Sequence, residues 1–573
     1  MHPRQTSNIL STAYLPVECG AGNESILGDV SGVLPVRAQC LPFRQIPHTT
    51  RLFSDFLSHS PKVQGFYPRS AYFAEWFHDE AHTIRYDAAR RALVAAVLER
   101  QNHSWGSSPR VFDNIARFRA GASAVVTGQQ VGLFGGPAFA IYKALTAMKL
   151  AEQATQGGVD AVPIFWLATE DHDLAEINHV SIPAPQATLE RLTASTRGTE
   201  DAPVGSIRFG AEIQAVIEEA ATLLGETEVS AWLRESYRPG ETFGSAFARL
   251  FARLFADWGL VLVDPLDTEL HAIATPIFQA ALERAGELDD ALLESGKALE
   301  HAGYHQQVKV TPSSTLLFAI RNGARTAIHR KTNGASGVFL IGEEKLSQAE
   351  LLRQIDAEPQ HFSASALLRP VMQDVLLPTL AYVGGAAEVA YFAQGEVVYQ
   401  KLLGRVTPIL PRFSATLVEP KAESLRERYR LAFPDLFEGP EPVRERLAAE
   451  TLPQEAAKSF EDANRGLERS LHSISDALAR LDPTLVESAQ RAGRKMQYQL
   501  GKLHARAARA ELRRSEVLAR HADLLSNALY PNKTLQEREL AGIYFASRYG
   551  SELLRSLYQT IHTECLDHQV VTL

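Results

Sequence analysis

The stretch from Ala122 to Ala168 constrains the fold more than any other. Ala122-Ser-Ala-Val-Val-Thr127 is a short β-branched run that ends in the glycine-rich loop Gly128-Gln-Gln-Val-Gly-Leu-Phe-Gly-Gly136. Pro137 then stands where the start of a helix tolerates proline. In the helix predicted to follow, to about Gln153, Ile141, Leu145, Met148 and Leu150 lie roughly along one side. After Gly157-Gly158, the run Val162-Pro-Ile-Phe-Trp-Leu-Ala168 is almost wholly apolar, as befits a parallel strand covered on both faces. A strand, a helix and a strand this close together predict a right-handed crossover.

The same grammar returns further along. A helix near 242–258 leads into Gly259-Leu-Val-Leu-Val-Asp264, and Thr379-Leu-Ala-Tyr-Val383 runs through Gly384-Gly385 into a helix from Ala386. The predicted class is therefore α/β, with a doubly wound parallel sheet assembled from distant pieces within residues 1–415. Two stretches read as insertions. Residues 183–240 are mainly helical, and 265–365 combine helices with a small antiparallel sheet drawn from Gln307–Val310, Leu316–Ile320, Thr326–Lys331 and Val338–Ile341. Ser347 with Glu350 matches a capping box.

From about Phe413 the pattern is helical only, so 416–573 form a separate helical domain. Leu467, Leu471, Ile474, Leu478 and Leu481 step by 4, 3, 4 and 3, and Met496, Leu500, Leu503 and Ala507 repeat the phase after Asp482-Pro483. This spacing predicts an antiparallel coiled-coil hairpin. Residues 435–468 hold nine acidic and four basic residues, against two acidic and nine basic in 491–520, so the two arms attract.

That pairing accounts for the basic helix, and a net charge of −9 disfavours nucleic acid or an acidic membrane as a partner. No apolar run reaches the length of a membrane span, and Met1–Pro16 lacks the apolar stretch of a signal peptide. Cys19, Cys40 and Cys565 are too few for a secreted disulfide framework, so a reducing cytoplasm is expected, with none of the three as a nucleophile.

In open α/β sheets, ligands bind beyond the carboxyl ends of the strands. Those ends carry Thr127-Gly128-Gln129-Gln130, Thr169-Glu170-Asp171-His172-Asp173, Asp264 and Tyr382-Val-Gly384-Gly385. Glycine-loop amides, including those at Gly135 and Gly136, suit a phosphate or carboxylate, although the loop is neither a P-loop nor GxGxxG and would also serve close strand–helix packing. Glu170, Asp171 and Asp173 around His172 suit acid/base work, an amine, or Mg²⁺ at Asp171 and Asp173. Asp173 with Glu176 equally resembles a helix cap. Arg369, beside Gln373 and Asp374, suits an anionic group or a salt bridge, and Glu388 suits an amine or the helix dipole. No zinc, haem or flavin is expected.

Val125-Val-Thr-Gly-Gln-Gln-Val-Gly-Leu-Phe-Gly-Gly-Pro137, Phe165-Trp-Leu-Ala-Thr-Glu-Asp-His-Asp173 with Glu176-Ile-Asn-His179, and Arg369-Pro-Val-Met-Gln-Asp374 with Tyr382-Val-Gly-Gly385 resemble the motifs of the BshC family, the cysteine ligases of bacillithiol biosynthesis. The resemblance runs through essentially the whole chain. It implies a Rossmann-like core with two inserted segments, a coiled-coil arm that forms a homodimer, and cysteine and glucosaminyl-malate as substrates.

The bond to be made requires activation, because a carboxylate and an ammonium do not condense readily at neutral pH. ATP would activate the cysteine carboxylate, His172 would take the amine's proton, and Glu170, Asp171 and Asp173 would orient the amine or Mg²⁺. Arg369 and the loop amides would hold anionic groups. Two other readings keep the fold: a nucleotidyltransferase-like enzyme adenylating another small acid, and a non-catalytic, nucleotide-sensing assembly protein.

Overall fold

A computed structural model describes residues 25–26 and 34–573, apart from 186–187, 197, 332–336, 451, 515 and 562–564. Met1–Pro16 and Cys19 lie outside the described residues. The apolar runs form the strands β1 (Ser123–Gln129), β2 (Ala161–Leu167), β3 (Val261–Val263) and β4 (Thr379–Gly384). A fifth strand, β5 (Ile409–Pro411), is not among the expected ones, since three residues, the last a proline and the first preceded by Pro408, carry no readable period. All pairs are parallel, in the order β5-β4-β1-β2-β3. The chain winds outward from β1 to β3, then returns to lay β4 and β5 on the other side of β1. The direction of winding thus reverses between β1 and β4, and there the carboxyl ends of the strands open a crevice.

Every residue of β2 is buried. Burying Ile164 or Phe165 stabilises the sheet by about 1.5–3 kcal/mol each relative to an exposed side chain. The helix α1 (Phe139–Gln156) carries the chain from β1 to β2 and buries Ala140, Ile141, Leu145 and Met148 against the core.

The first inserted segment contains an antiparallel hairpin (His179–Pro183 with Leu189–Thr193) and the helices Ile213–Leu224 and Glu228–Ser236. The second opens with α2 (Thr268–Glu283) and the helix Ala285–His301. It continues as a five-stranded antiparallel sheet built from Ser314–Arg321, Ala324–Arg330, Val338–Ile341, Glu344–Ser347 and Phe362–Ala364. The capping box is present, with the Ser347 and Glu350 backbone N–H groups donating reciprocally to each other's side chains. Gln307–Val310 is not a strand. The Gln394 side chain takes both backbone groups of Val308, accepting at 3.0 Å and donating at 2.7 Å, in place of a neighbouring strand.

The carboxyl-terminal part is not helical only. Ala415–Val418 and His568–Thr572 pair in parallel, and Arg37–Leu41 joins them antiparallel, so both ends of the described chain are tied into one sheet. Cys40 and Cys565, too few with Cys19 for a secreted disulfide framework, nevertheless form a disulfide at this edge. The predicted hairpin is there: Phe460 meets His504, and Leu471 lies against Gly493, an antiparallel register between two long helices (Gln454–Leu481 and Leu485–Arg514). No described helix is long and apolar enough to cross a membrane.

Candidate active site

The polar turn Thr169–Asp173 leaves the end of β2. Its first two side chains point inward and are buried. Thr169 Oγ1 donates to Asp264 Oδ1 at 2.5 Å, joining the ends of β2 and β3. Glu170 Oε1 lies 3.1 Å from Nε2 of His271 on α2, an ion-pair distance but off the line of a formed hydrogen bond. Nδ1 of the same ring lies 3.1 Å from the Pro359 carbonyl. Burial opposes a charge on His271, but Glu170 outweighs it and raises the imidazole pKa.

Asp171 and His172 are only half-buried. Asp171 Oδ1 accepts from the His172 backbone N–H at 2.8 Å, and Oδ2 accepts from Gln130 Nε2 at 2.7 Å. This bond ties the β1 loop to the β2 turn. Arg325, on the inserted sheet, places Nη1 3.0 Å from His172 Nδ1. A guanidinium can only donate, so Nδ1 accepts. The base role expected of His172 does not match this arrangement, because the Nδ1 lone pair is already engaged. Asp173 is exposed and accepts from the Glu176 N–H at 3.3 Å, capping a one-turn helix, so its cap reading is the one the structure bears out. Asp171 and Asp173 each accept local hydrogen bonds, and among the described residues no three His, Cys, Asp or Glu side chains converge to hold a metal.

At the crevice between β1 and β4, Thr127 Oγ1 donates to the Val383 carbonyl at 2.9 Å. Lys143, on α1, was missed by the sequence reading because a lysine in an amphipathic helix looks like an exposed one. Its ammonium is buried, 2.5 Å from Glu388 Oε2 and donating to Gly128 O at 2.8 Å and Gln129 Oε1 at 2.9 Å. Glu388, at the start of the helix Ala386–Leu403, also accepts from Tyr382 OH and the Gly385 N–H, each at 2.7 Å. Burial opposes the Glu388 carboxylate, but Lys143 and those donors outweigh it and hold its pKa below the ordinary value. The amine expected at Glu388 is therefore an internal lysine. Arg369 stacks over the Tyr382 ring at 5.1 Å and donates to Gln373 Oε1 and Tyr391 OH, so it braces this wall from behind.

Two other expectations fail on position. Gly135 and Gly136 are buried, and their N–H groups already donate to Gly132 O and Leu133 O, the former also to Tyr237 OH. With φ of +85° and +69° they turn the chain so that Leu133 and Phe134 can pack, which leaves Gln129 and Gln130 as the half-exposed part of the loop. Asp374 faces the opposite end of the sheet, where it accepts from Thr407 and pairs with Arg405.

A cavity of about 330 Å³ adjoins Gly385 and is lined by Ala386, Arg412, Arg538, Lys533 and His48, among others. Arg412 and Arg538 flank the Phe139 ring at 5.3 and 5.9 Å. The Arg538 guanidinium makes no hydrogen bond or ion pair with another described residue. These cations, brought from residues far apart in sequence, had no motif that could reveal them. A larger groove of about 920 Å³ sits by the amino-terminal end of β2, but there Arg117 and Arg555 are already paired with Asp160 and Asp257.

Burial pushes the Asp264 carboxyl up to about 6. A carboxyl raised on folding favours the folded state most at low pH, and that contribution is lost as pH rises from about 4 to about 6. Asp264→Asn is therefore expected to gain stability over the wild type between those values, by about 1–3 kcal/mol at pH 7, read from urea unfolding at pH 4 and pH 7. A methyl on Gly205 would lie 2.5 Å from Thr169 Cβ and 2.6 Å from Leu266. Gly205→Ala should cost about 1–3 kcal/mol by overpacking the turn, and thermal unfolding measures it.

Two family models match the chain: "Bacillithiol biosynthesis BshC, N-terminal Rossmann-like domain" over residues 36–413 and "Bacillithiol biosynthesis BshC, C-terminal coiled-coil domain" over 415–573. Curated relatives named "Putative cysteine ligase BshC" occur in Koribacter versatilis (53% identical, covering 93% of this chain and 99% of that protein) and Solibacter usitatus (37%, covering 93% and 99%). Another, from Salinibacter ruber, is 33% identical over 91% of this chain and 96% of its own. With its parallel sheet, its helical hairpin and both family models in register, the chain belongs to the BshC family.

Proposed function

We propose that the protein is a ligase that joins the carboxyl of cysteine to the amine of glucosaminyl-malate, the last step of bacillithiol biosynthesis, after ATP activates that carboxyl. The relatives' name supplies cysteine and ligation. The observation that carries the reading is the Thr169–Asp173 turn, where the half-buried Asp171 and His172 stand at a strand end across from the winding reversal. Activation forms an acyl phosphate and ADP, or an acyl adenylate and pyrophosphate. The amine nitrogen then attacks the acyl carbon, phosphate or AMP leaves, and the nitrogen gives up a proton. Asp171 is the acceptor for that proton, since among the described residues its oxygens take hydrogen bonds only from an amide N–H and from Gln130, and it keeps access to solvent. The basic cavity beside Gly385 suits the nucleotide phosphates, chiefly through Arg538, with Arg412 and Lys533, which also pair with Glu537 and Glu441, beside it.

Purified protein given cysteine, glucosaminyl-malate and ATP should yield bacillithiol by mass spectrometry, and omission of ATP should abolish it. Folded protein that makes no product under these conditions would count against the ligase reading. Product formed without ATP would count against activation. A biosynthetic ligase fed by cysteine and ATP is expected in the cytoplasm.

The coiled coil supports a homodimer. Ile474 is 50% exposed and Leu503 56%, both in heptad phase, and such residues are covered when two hairpins associate. Sedimentation velocity should find a dimer, and Ile474→Glu combined with Leu503→Glu should leave a monomer.

A further inference from the structure

We infer that Arg325 is a positioning residue that fixes the tautomer of His172, so that the ring presents Nε2–H to the cleft as a donor to an anionic oxygen of the ligand. The inference deepens the proposed reaction and rests on it for the identity of that oxygen, but the tautomer itself does not depend on it.

Arg325 lies 153 residues from His172 in sequence, on the inserted strand Ala324–Arg330. Its guanidinium is held on three sides. Nε donates to Ser363 Oγ at 2.9 Å, Nη2 donates to the Ala364 carbonyl at 2.7 Å, and Cζ lies over the Phe318 ring, 3.8 Å from its centroid. Its own backbone N–H donates to Asp201 O at 2.8 Å, which ties the strand to the first inserted segment. Little freedom remains for the third contact, Nη1 to His172 Nδ1 at 3.0 Å.

A guanidinium carries five N–H donors and no acceptor, so His172 Nδ1 must accept. A neutral imidazole has one N–H, and with Nδ1 accepting it sits on Nε2. Nε2 makes no hydrogen bond to another described residue, and the side chain is 32% exposed. The ionisable groups facing the ring and the guanidinium are Asp171, whose Oδ1 is 3.6 Å from Nδ1, Glu170 and Arg325 itself. The carboxylates lie on the guanidinium side, so the outward N–H is left for the ligand. In the proposed reaction, the oxygen that gains negative charge when the amine attacks is the acyl oxygen, and a preset neutral donor stabilises it without moving a proton.

The test is the tautomer, read from long-range proton–nitrogen correlations on full-length protein labelled with ¹⁵N-histidine, with His172→Gln to assign the signal. The wild type should show Nδ1 unprotonated and Nε2 protonated. In Arg325→Met the signal should move toward the Nδ1–H form, while Arg325→Lys, which still donates, should retain the wild-type pattern. With cysteine, glucosaminyl-malate and ATP, Arg325→Met should lose about a hundredfold in kcat with KM within about twofold of wild type.

A wild-type ring protonated at Nδ1 overturns the inference, as does an unchanged His172 signal in Arg325→Met. The wild-type spectrum decides the matter even if that variant does not fold. The expected tautomer in a protein that makes no bacillithiol would leave this inference standing and remove the ligase reading. The opposite tautomer in an active ligase would do the reverse.

Discussion

Glu537→Gln is expected to destabilise the protein by about 3–5 kcal/mol. Glu537 is buried between the carboxyl-terminal sheet and the core, and it accepts from Arg412 Nη2, from Ser414 Oγ at 2.9 Å and from the Ala415 N–H at 2.9 Å. The Arg412 side chain is only 8% exposed. Removing the carboxylate charge leaves that guanidinium in a low-dielectric site with no counter-ion, which costs far more than the net worth of the pair itself. Pairing the change with Arg412→Met removes the stranded charge and should recover part of the loss, which urea unfolding of both variants will measure.

The same cluster makes the fold acid-sensitive. Burial lowers His568 to about 4, and its ring nitrogens lie 2.8 Å from Ser414 Oγ and 2.9 Å from Thr416 Oγ1. A histidine whose pKa falls on folding contributes stability above its unfolded value near 6.5. That contribution is lost as pH drops toward 4, by about 3 kcal/mol in all. Glu537, held low chiefly by Arg412 against the opposing effect of burial, loses its contribution in the same direction, below the ordinary carboxylate range. His568→Gln should flatten the pH dependence between 6.5 and 4.

Asp171→Asn is expected to lower kcat by about 10²–10⁴-fold and leave unfolding nearly unchanged. The amide keeps the shape and can still accept from the His172 N–H, but it cannot take up the amine's proton. Glu388→Gln is the contrast. Its carboxylate is the counter-ion of buried Lys143, so the change should appear first as lost stability. Two acidic residues beyond the ends of β2 and β4, the strands that flank β1, thus separate by readout: turnover for Asp171, unfolding for Glu388. Equal kinetic losses with no stability change in Glu388→Gln would place Glu388 in the chemistry after all.

The parallel strands were legible because burial on both faces forces long apolar runs, as in Val162–Leu167. The polar turn after β2 was legible because five consecutive polar residues directly beyond such a run have no packing reason to be there. What escaped was nonlocal. His271, Arg325 and Lys143 reach the site from helices and an inserted strand whose own sequence shows only amphipathic patterning, and Arg412 with Arg538 meet only when the terminal segment folds back. The glycine loop misled for a different reason: a glycine needed for φ > 0 and one needed to expose an N–H to a ligand look identical in sequence. Glu388 misled likewise, because nothing local tells a carboxylate paired from inside from one awaiting a ligand.

The most direct measurement of ligation through an activated carboxyl uses cysteine labelled with ¹⁸O in both carboxyl oxygens, together with glucosaminyl-malate and ATP. Bacillithiol should form with one ¹⁸O retained in its new amide, and the other should appear in phosphate or in AMP, according to which bond of ATP is split. Product whose lost oxygen appears in water, with phosphate and AMP unlabelled, would contradict the account.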